Sequence, residues 1–286
     1  MKIYKHHVVF IVPILLLIQI ATAQQQIPAG SSLVTSPRPL ADAARSLQET
    51  YGKVVTYEEP ILTWRGELQT KPGRNPEAKW ELFPMPQSFL MPESGPGTDL
   101  ASVLEDTITA YHQQTSGTLF KVVSSKLGHH IVPVQAHDEN GRSVPATSAL
   151  DQIITVPNEV RTPERHLLAL GAAINSTGPI YVDISAVAGS VRGFDKAFRA
   201  QPEVFQWGVH SAVARDALID LLNQSASTFS WVLFCQASAR ASDRICALTV
   251  RLIEVAVTDS QGKPAKRVLQ FDRCRDCPLP EDSLNR

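Results

Sequence analysis

Apolar positions along the chain fall at helical spacing four times, and each time a polar break and a β-rich run follow. Leu40, Ala43, Ala44, Leu47 and Tyr51 make the first face; Gly52 stops it before Val54–Tyr57. Leu100, Val103, Leu104, Thr107, Ile108 and Tyr111 make the second, ending at Ser116-Gly117 before Leu119–Val123. The third opens on Thr162-Pro163, a cap residue followed by a first-turn proline. It carries Leu167, Leu170, Gly171 and Ile174 inward and stops at Thr177-Gly178-Pro179 before Ile180–Ile184. The fourth, with Ser211 as the expected cap, buries Ala214, Ala217, Leu218, Leu221 and Leu222 and yields to Phe229–Phe234. Helix periodicity and stop signals agree in all four. Burying one large aliphatic side chain is worth roughly 1.5–3 kcal/mol, so these faces require a sheet to lie on.

The strand signals supply one. Phe120–Val122 and Ile131–Val134 flank Lys126-Leu127-Gly128-His129, which reads as a hairpin turn. Ala149–Val156 reads as a strand entering the third helix, and Phe205, Trp207 and Val209 alternate with polar residues ahead of the fourth. Leu248, Val250 and Leu252 share one parity and Ile253, Val255 and Val257 the other, which predicts a bulge near Leu252. The expected fold is therefore α+β: two small modules, each a short, mostly antiparallel sheet with two helices packed on it. The modules are expected over 39–145 and 146–258, after a flexible lead at 24–38 and before a polar tail at 259–286. Six prolines between Thr70 and Gly97 exclude a helix or a central strand there, leaving an extended edge segment or loop.

Residues 1–23 form a separate unit. Lys2 and Lys5 precede an apolar run over Val8–Ile20, and Ala21-Thr22-Ala23 is a small-x-small cleavage signature. The run is short for a membrane span, which needs roughly 20 residues. The expectation is a cleaved signal peptide, a periplasmic or secreted mature chain, and no membrane-spanning segment in it. Without residues 1–23 the chain has 25 basic and 28 acidic residues. That balance excludes a dense cationic face, and with it nucleic acid and polybasic membrane binding.

Cysteines fit an oxidising compartment. Cys235 and Cys246 flank a short polar loop between apolar runs and are expected to staple the base of a hairpin. Cys274 and Cys277 form a C-x-x-C near the C-terminus, but without the strand and helix N-terminus that activate a redox thiolate. A local disulfide, or pairing with the first two cysteines, is the expectation for them.

Around Ala214–Phe234, the run ARDALIDLLNQSASTFSWVLF resembles the helix-to-strand core of the short N-terminal modules of secretins and TonB-dependent receptors, with a fainter echo at Leu40–Pro60. The resemblance implies a periplasmic module that mediates protein contacts or signalling without a reaction. The chain as a whole is also similar to uncharacterised exported proteins of soil bacteria, which implies no activity.

Candidate chemistry is sparse. No Gly-x-Ser-x-Gly elbow is present, and Ser190 in AGSVRG has no His or acid placed beside it. His-Glu-x-x-His is absent, and the neighbours His129 and His130 point to opposite faces of a strand. Asp138-Glu139-Asn140-Gly141 opens like a calcium loop, yet Ala149 stands where the bidentate acid belongs, so a turn is expected. Nucleotide-cradling glycine loops are missing, and no metal or cofactor is expected. The carboxylates open to glycoside chemistry are Glu58-Glu59, Asp183 and Asp195, with structural roles favoured. Arg192, Phe194, Lys196, Phe198 and Arg199 mix basic and aromatic residues in a loop suited to a protein or anionic polymer. The function expected from all this is a non-catalytic interaction or assembly module of the cell envelope, its partner another envelope protein. An exported hydrolase of a wall polymer, with a nonstandard site, is the alternative.

Overall fold

The structure, a computed structural model, describes residues 30–71, 81–93, 97–186, 194, 198, 203–236, 245–258 and 263–269. In chain order the first half comprises β1 (Ser31–Ser36), α1 (Pro39–Tyr51), β2 (Val55–Glu58), β3 (Leu68–Lys71), β4 (Glu81–Pro84), β5 (Gln87–Pro92), α2 (Leu100–Gln114), β6 (Leu119–Ser124), β7 (His129–His137) and β8 (Ser143–Pro145). The second half adds β9 (Ile153–Arg161), α3 (Pro163–Thr177), β10 (Tyr181–Ala186), β11 (Phe205–Val213), α4 (Ala214–Leu222), β12 (Phe229–Cys235), β13 (Ile245–Leu252), β14 (Glu254–Thr258) and β15 (Pro264–Val268).

All four expected helices form, each followed by a strand. Gly52 closes α1 in the left-handed conformation at φ +59°, where its N–H reaches the Gln48 carbonyl. Asp99 caps α2 through the N–H groups of Ala101 and Ser102, and Thr162 caps α3 ahead of Pro163. Ser211 does not cap α4: β11 runs on to Val213, which enters the helix without a side-chain cap. Gly128 makes the β6–β7 turn with φ +157°, and a Cβ there would sit 2.4 Å from the Val54 carbonyl oxygen. The lead is not wholly flexible either, since β1 pairs antiparallel with β5, the Pro-flanked edge segment. In place of the bulge expected near Leu252 the strand ends: β13 pairs regularly with β12 up to Leu252, and β14 leaves to pair with β15.

The α+β class holds, but the two halves do not close separate sheets. Six strands run in the order β10-β13-β12-β2-β7-β6, with β8 added to β7 as a seventh. The halves meet where β12 lies parallel to β2, at Val232↔Tyr57 and Leu233↔Glu58. Apolar parity assigns the faces. Phe229, Trp231, Leu233 and Cys235 of β12 enter the core under α3 and α4, whereas Val232 enters the one under α1 and α2. Helices of the first half thus cover one face of the sheet and helices of the second half cover the other.

The halves repeat one design. Each has a ribbon of its first and third strands (β1/β5, β9/β11) and a three-strand group in the order second–fifth–fourth, leaving aside β3, β4, β8, β14 and β15. Set on each other at the last residues of β6 and β12, Ser124 and Cys235, the two groups align row by row. Tyr57, Ile131 and Val122 stand in line across β2, β7 and β6, as Ile184, Leu248 and Leu233 do across β10, β13 and β12. In both groups the first pairing is parallel and the second antiparallel. Because the helices lie on opposite faces, the second unit is flipped over relative to the first about a line running across the strands.

Candidate functional site

Parallel strands β12, β2 and β7 direct their carboxyl ends to one end of the sheet, where two of the acids noted in the sequence stand. Glu58 and Glu59 close β2 and are both buried. On the α3/α4 face Arg215 of α4 donates Nε to Glu58 Oε1 and Nη2 to Oε2, each at 2.7 Å. Its Nη2 also lies 2.7 Å from Asp151 Oδ1. Burial works against the Arg215 charge, but the two carboxylates more than offset it and hold the guanidinium pKa above its ordinary value. On the other face Arg38 donates Nε to both Glu59 oxygens at 3.0 Å, and the Cys235 N–H reaches Glu59 Oε2 at 3.0 Å. Burial pushes the Glu59 carboxyl up, opposed by Arg38 and by that N–H.

Glu59 lines a cavity of about 40 Å³ with Arg38, Tyr57, Glu67 and Tyr111. Such a space holds a water or two, since one water needs roughly 10–15 Å³. Substrate pockets run to about 300–1,000 Å³. Burial raises the Tyr57 phenol well above its usual value and pushes Tyr111 up to about 12, so both stay neutral donors in the wall.

The roomier feature is an open cleft of about 430 Å³ beyond the ends of β2 and β7. Its apolar lining comes from Pro60, Ile61, Ala136, Val144, Pro145 and Ile180; Asp138 and Glu139 supply its charge and His137 a polar ring. His137 is fixed from behind, with Nδ1 2.7 Å from Glu67 Oε1 and its ring 4.8 Å from that of Trp64. Asp138 folds its own turn: Oδ1 accepts the N–H groups of Asn140 and Arg142, and Oδ2 accepts Arg142 Nε at 2.8 Å. The backbone N–H of Arg142 is the main cause of the lowered Asp138 pKa. The turn expected for this segment is present. Glu139 is exposed at the mouth.

The remaining candidates are dispersed. His130 is buried on the α3/α4 face, stacked on Trp231 at 5.0 Å, while His129 is half-buried. Asp183 is exposed on β10, on the face away from α3, as its parity requires. Phe194 and Phe198, expected in an exposed contact loop, are fully buried and pack on each other and on Phe229, which makes them core residues. Arg192, Lys196, Arg199, Ser190, Asp195, Cys274, Cys277 and residues 1–23 lie outside the described residues. Cys235 and Cys246 are bonded as expected, directly opposite each other in the β12–β13 ladder. Among the described residues no cluster of His, Cys, Asp and Glu could hold a metal ion, and no helix is long and apolar enough to cross a membrane.

Sequence reasoning missed the two arginines. Arg215 interrupts the inward face of α4 beside Ala214 and Ala217, and a charge in such a place demands a buried acid. That signal was available. No family model, curated protein or solved structure matches the chain.

Proposed function

We propose that this protein is an exported, non-catalytic interaction or assembly element of the cell envelope, and that it docks a partner polypeptide in the cleft beyond β2 and β7. One observation carries the reading. The acids brought together at this end of the sheet are held by arginines and closed off, whereas the accessible cleft is floored by apolar side chains and rimmed by Glu139. Such a surface suits an extended segment bearing apolar groups and a cation. The secretory pattern at 1–23, the Cys235–Cys246 disulfide and the resemblance of Ala214–Phe234 to secretin and TonB-receptor modules support the same assignment.

The mature chain, immobilised and exposed to envelope extract, should retain a defined protein that the variant Glu139→Lys with Thr147→Arg loses. Both side chains are exposed, so the fold is kept. Identical retention by the two proteins would defeat the docking site. The place of Glu59 in the wall of the small cavity, beside Tyr57 and Tyr111, supports a second reading, acid catalysis on a wall polymer. Release of soluble fragments from purified wall material by the wild type, abolished in Glu59→Gln, would establish that reading instead.

A further inference from the structure

The joint between the two units pairs the outer edge of a fourth strand, β12, with the outer edge of a second strand, β2. Because the units are equivalent, the chain ends in the same two kinds of edge. Among the described residues β6, the counterpart of β12, pairs only with β7, and β10, the counterpart of β2, pairs only with β13. Applying the joint once more would lay β6 of one copy parallel to β10 of the next. Repetition would then extend the sheet as a head-to-tail series, an open heterologous contact.

The aligned registers say which residues would meet. Tyr57 corresponds to Ile184 and Val232 to Lys121, so the pair Val232↔Tyr57 becomes Lys121 opposite Ile184 of the next copy. Likewise Thr56, fully buried at the joint, corresponds to Asp183. At the internal joint Val232 is covered by the helices of the other unit, and Thr56 is covered on the opposite face. Lys121 and Asp183 would be covered in the same way, on opposite faces of the continued sheet. Neither charge would meet the other, and each would be drawn into an apolar layer without a partner. Both are exposed in the single chain.

We infer that Lys121 and Asp183 are guard charges: they stop the two free sheet edges from repeating, between copies of this chain, the joint made within it. Charged residues on edge strands are a general means of preventing edge-to-edge addition. Here their places coincide with Val232 and Thr56, two of the positions buried at the joint. No further charge stands in the way on β10, which carries Ser185 and Ala186 where β2 carries the arginine-bound Glu58 and Glu59; Asn175 holds the Val182 N–H and carbonyl much as Gln48 holds the Val55 N–H at the joint, and His112 accepts the Phe120 N–H on β6. The inference concerns self-pairing and does not depend on the cleft.

The test is sedimentation velocity on the full mature chain over a wide concentration range. Wild type is expected to show no association through these edges. Lys121→Val combined with Asp183→Thr copies the joint residues onto the free edges, and its mean sedimentation coefficient should rise with concentration, with each single change having a weaker effect. Thermal melting reports whether the variants remain folded, as expected for two exposed positions. Adding Val122→Cys and Ser185→Cys to the double variant places the two thiols opposite one another only in this register, as Leu233 lies opposite Glu58. Oxidation should then give an interchain disulfide ladder. A folded double variant that stays monomeric at every concentration, association without that ladder, or a wild type that associates as strongly, would each overturn the inference.

Discussion

His130 should make the protein acid-sensitive. Its ring is fully buried between Trp231 and the strand backbone, with Nδ1 2.9 Å from Thr56 Oγ1 and Nε2 2.7 Å from Ser125 Oγ. Hydroxyls can accept as well as donate, so these two partners do not themselves forbid the imidazolium. Burial does, reinforced by the Arg215 and His129 charges, and the pKa is pushed down to about 3 from an ordinary value near 6.5. The unfolded chain therefore binds a proton below pH 6.5 that the native state refuses. Stability is whole above that pH and declines as pH falls, until the native imidazole also protonates near pH 3. At about 1.4 kcal/mol per pH unit, the loss between pH 7 and pH 5 is about 2 kcal/mol, and it reaches about 4 kcal/mol at pH 3. Urea unfolding of wild type and His130→Gln at pH 7 and pH 5 isolates this term, because the other histidines contribute equally to both. The variant is expected to be less stable at pH 7 but to lose about 2 kcal/mol less on acidification. Parallel pH profiles for the two proteins, or a His130 ring resonance that titrates near pH 6.5, would refute the reasoning.

Two further outcomes follow from the same interior. Arg215→Met leaves Glu58 buried without its cation and should lower the urea unfolding free energy by about 3–5 kcal/mol; Arg215→Met with Glu58→Leu should recover much of that, and equal losses would contradict the pairing. Reduction of Cys235–Cys246, separated by 11 residues, should cost about 3 kcal/mol in the chain-entropy estimate, read as a drop in the urea midpoint after dithiothreitol treatment; an unchanged midpoint would show that the ladder alone holds the pair.

Local order was easy to read from the sequence, and long-range joining was not. Leu40, Leu47, Leu104, Leu170 and Leu218 recur at helical spacing and are all buried where that spacing put them. Alternation in Phe205–Val209 and the Gly128 turn similarly encode local geometry. Parity along Phe229–Cys235 was harder to use. Every residue in the strand but Phe234 is buried, because the two faces belong to different cores, so period-two alternation disappears. A strand buried on both faces gives no sign of which edge its neighbour occupies, and the fusion of the halves through β12 and β2 was invisible for that reason. Phe194 and Phe198 show the converse: aromatic residues among basic ones suggest a surface, yet both rings fill the core beside Phe229.

The joint also explains why two glutamates stand side by side at the end of β2. Only two residue pairs hold β12 to β2, a short ladder with little intrinsic preference for register. Ser230 Oγ donates to the Val55 carbonyl and the Glu59 N–H to the Leu233 carbonyl, which fixes the ladder at both ends. A slip by one residue would turn Glu58 away from Arg215 and towards the layer of Leu40 and Phe120, and would take Tyr57 from its place beside Phe120 and Phe234. The first move buries an unpaired charge, a far larger penalty than the loss of one backbone hydrogen bond, and the second gives up the aromatic contacts of Tyr57. Glu58 ties the first unit to α4 of the second on one face, and Glu59 ties Arg38 to the backbone of Cys235 on the other. With both acids engaged, one on each face, only the observed register gives each of the two buried carboxylates its arginine, and the pair acts as a register lock between the two units rather than as a reacting pair.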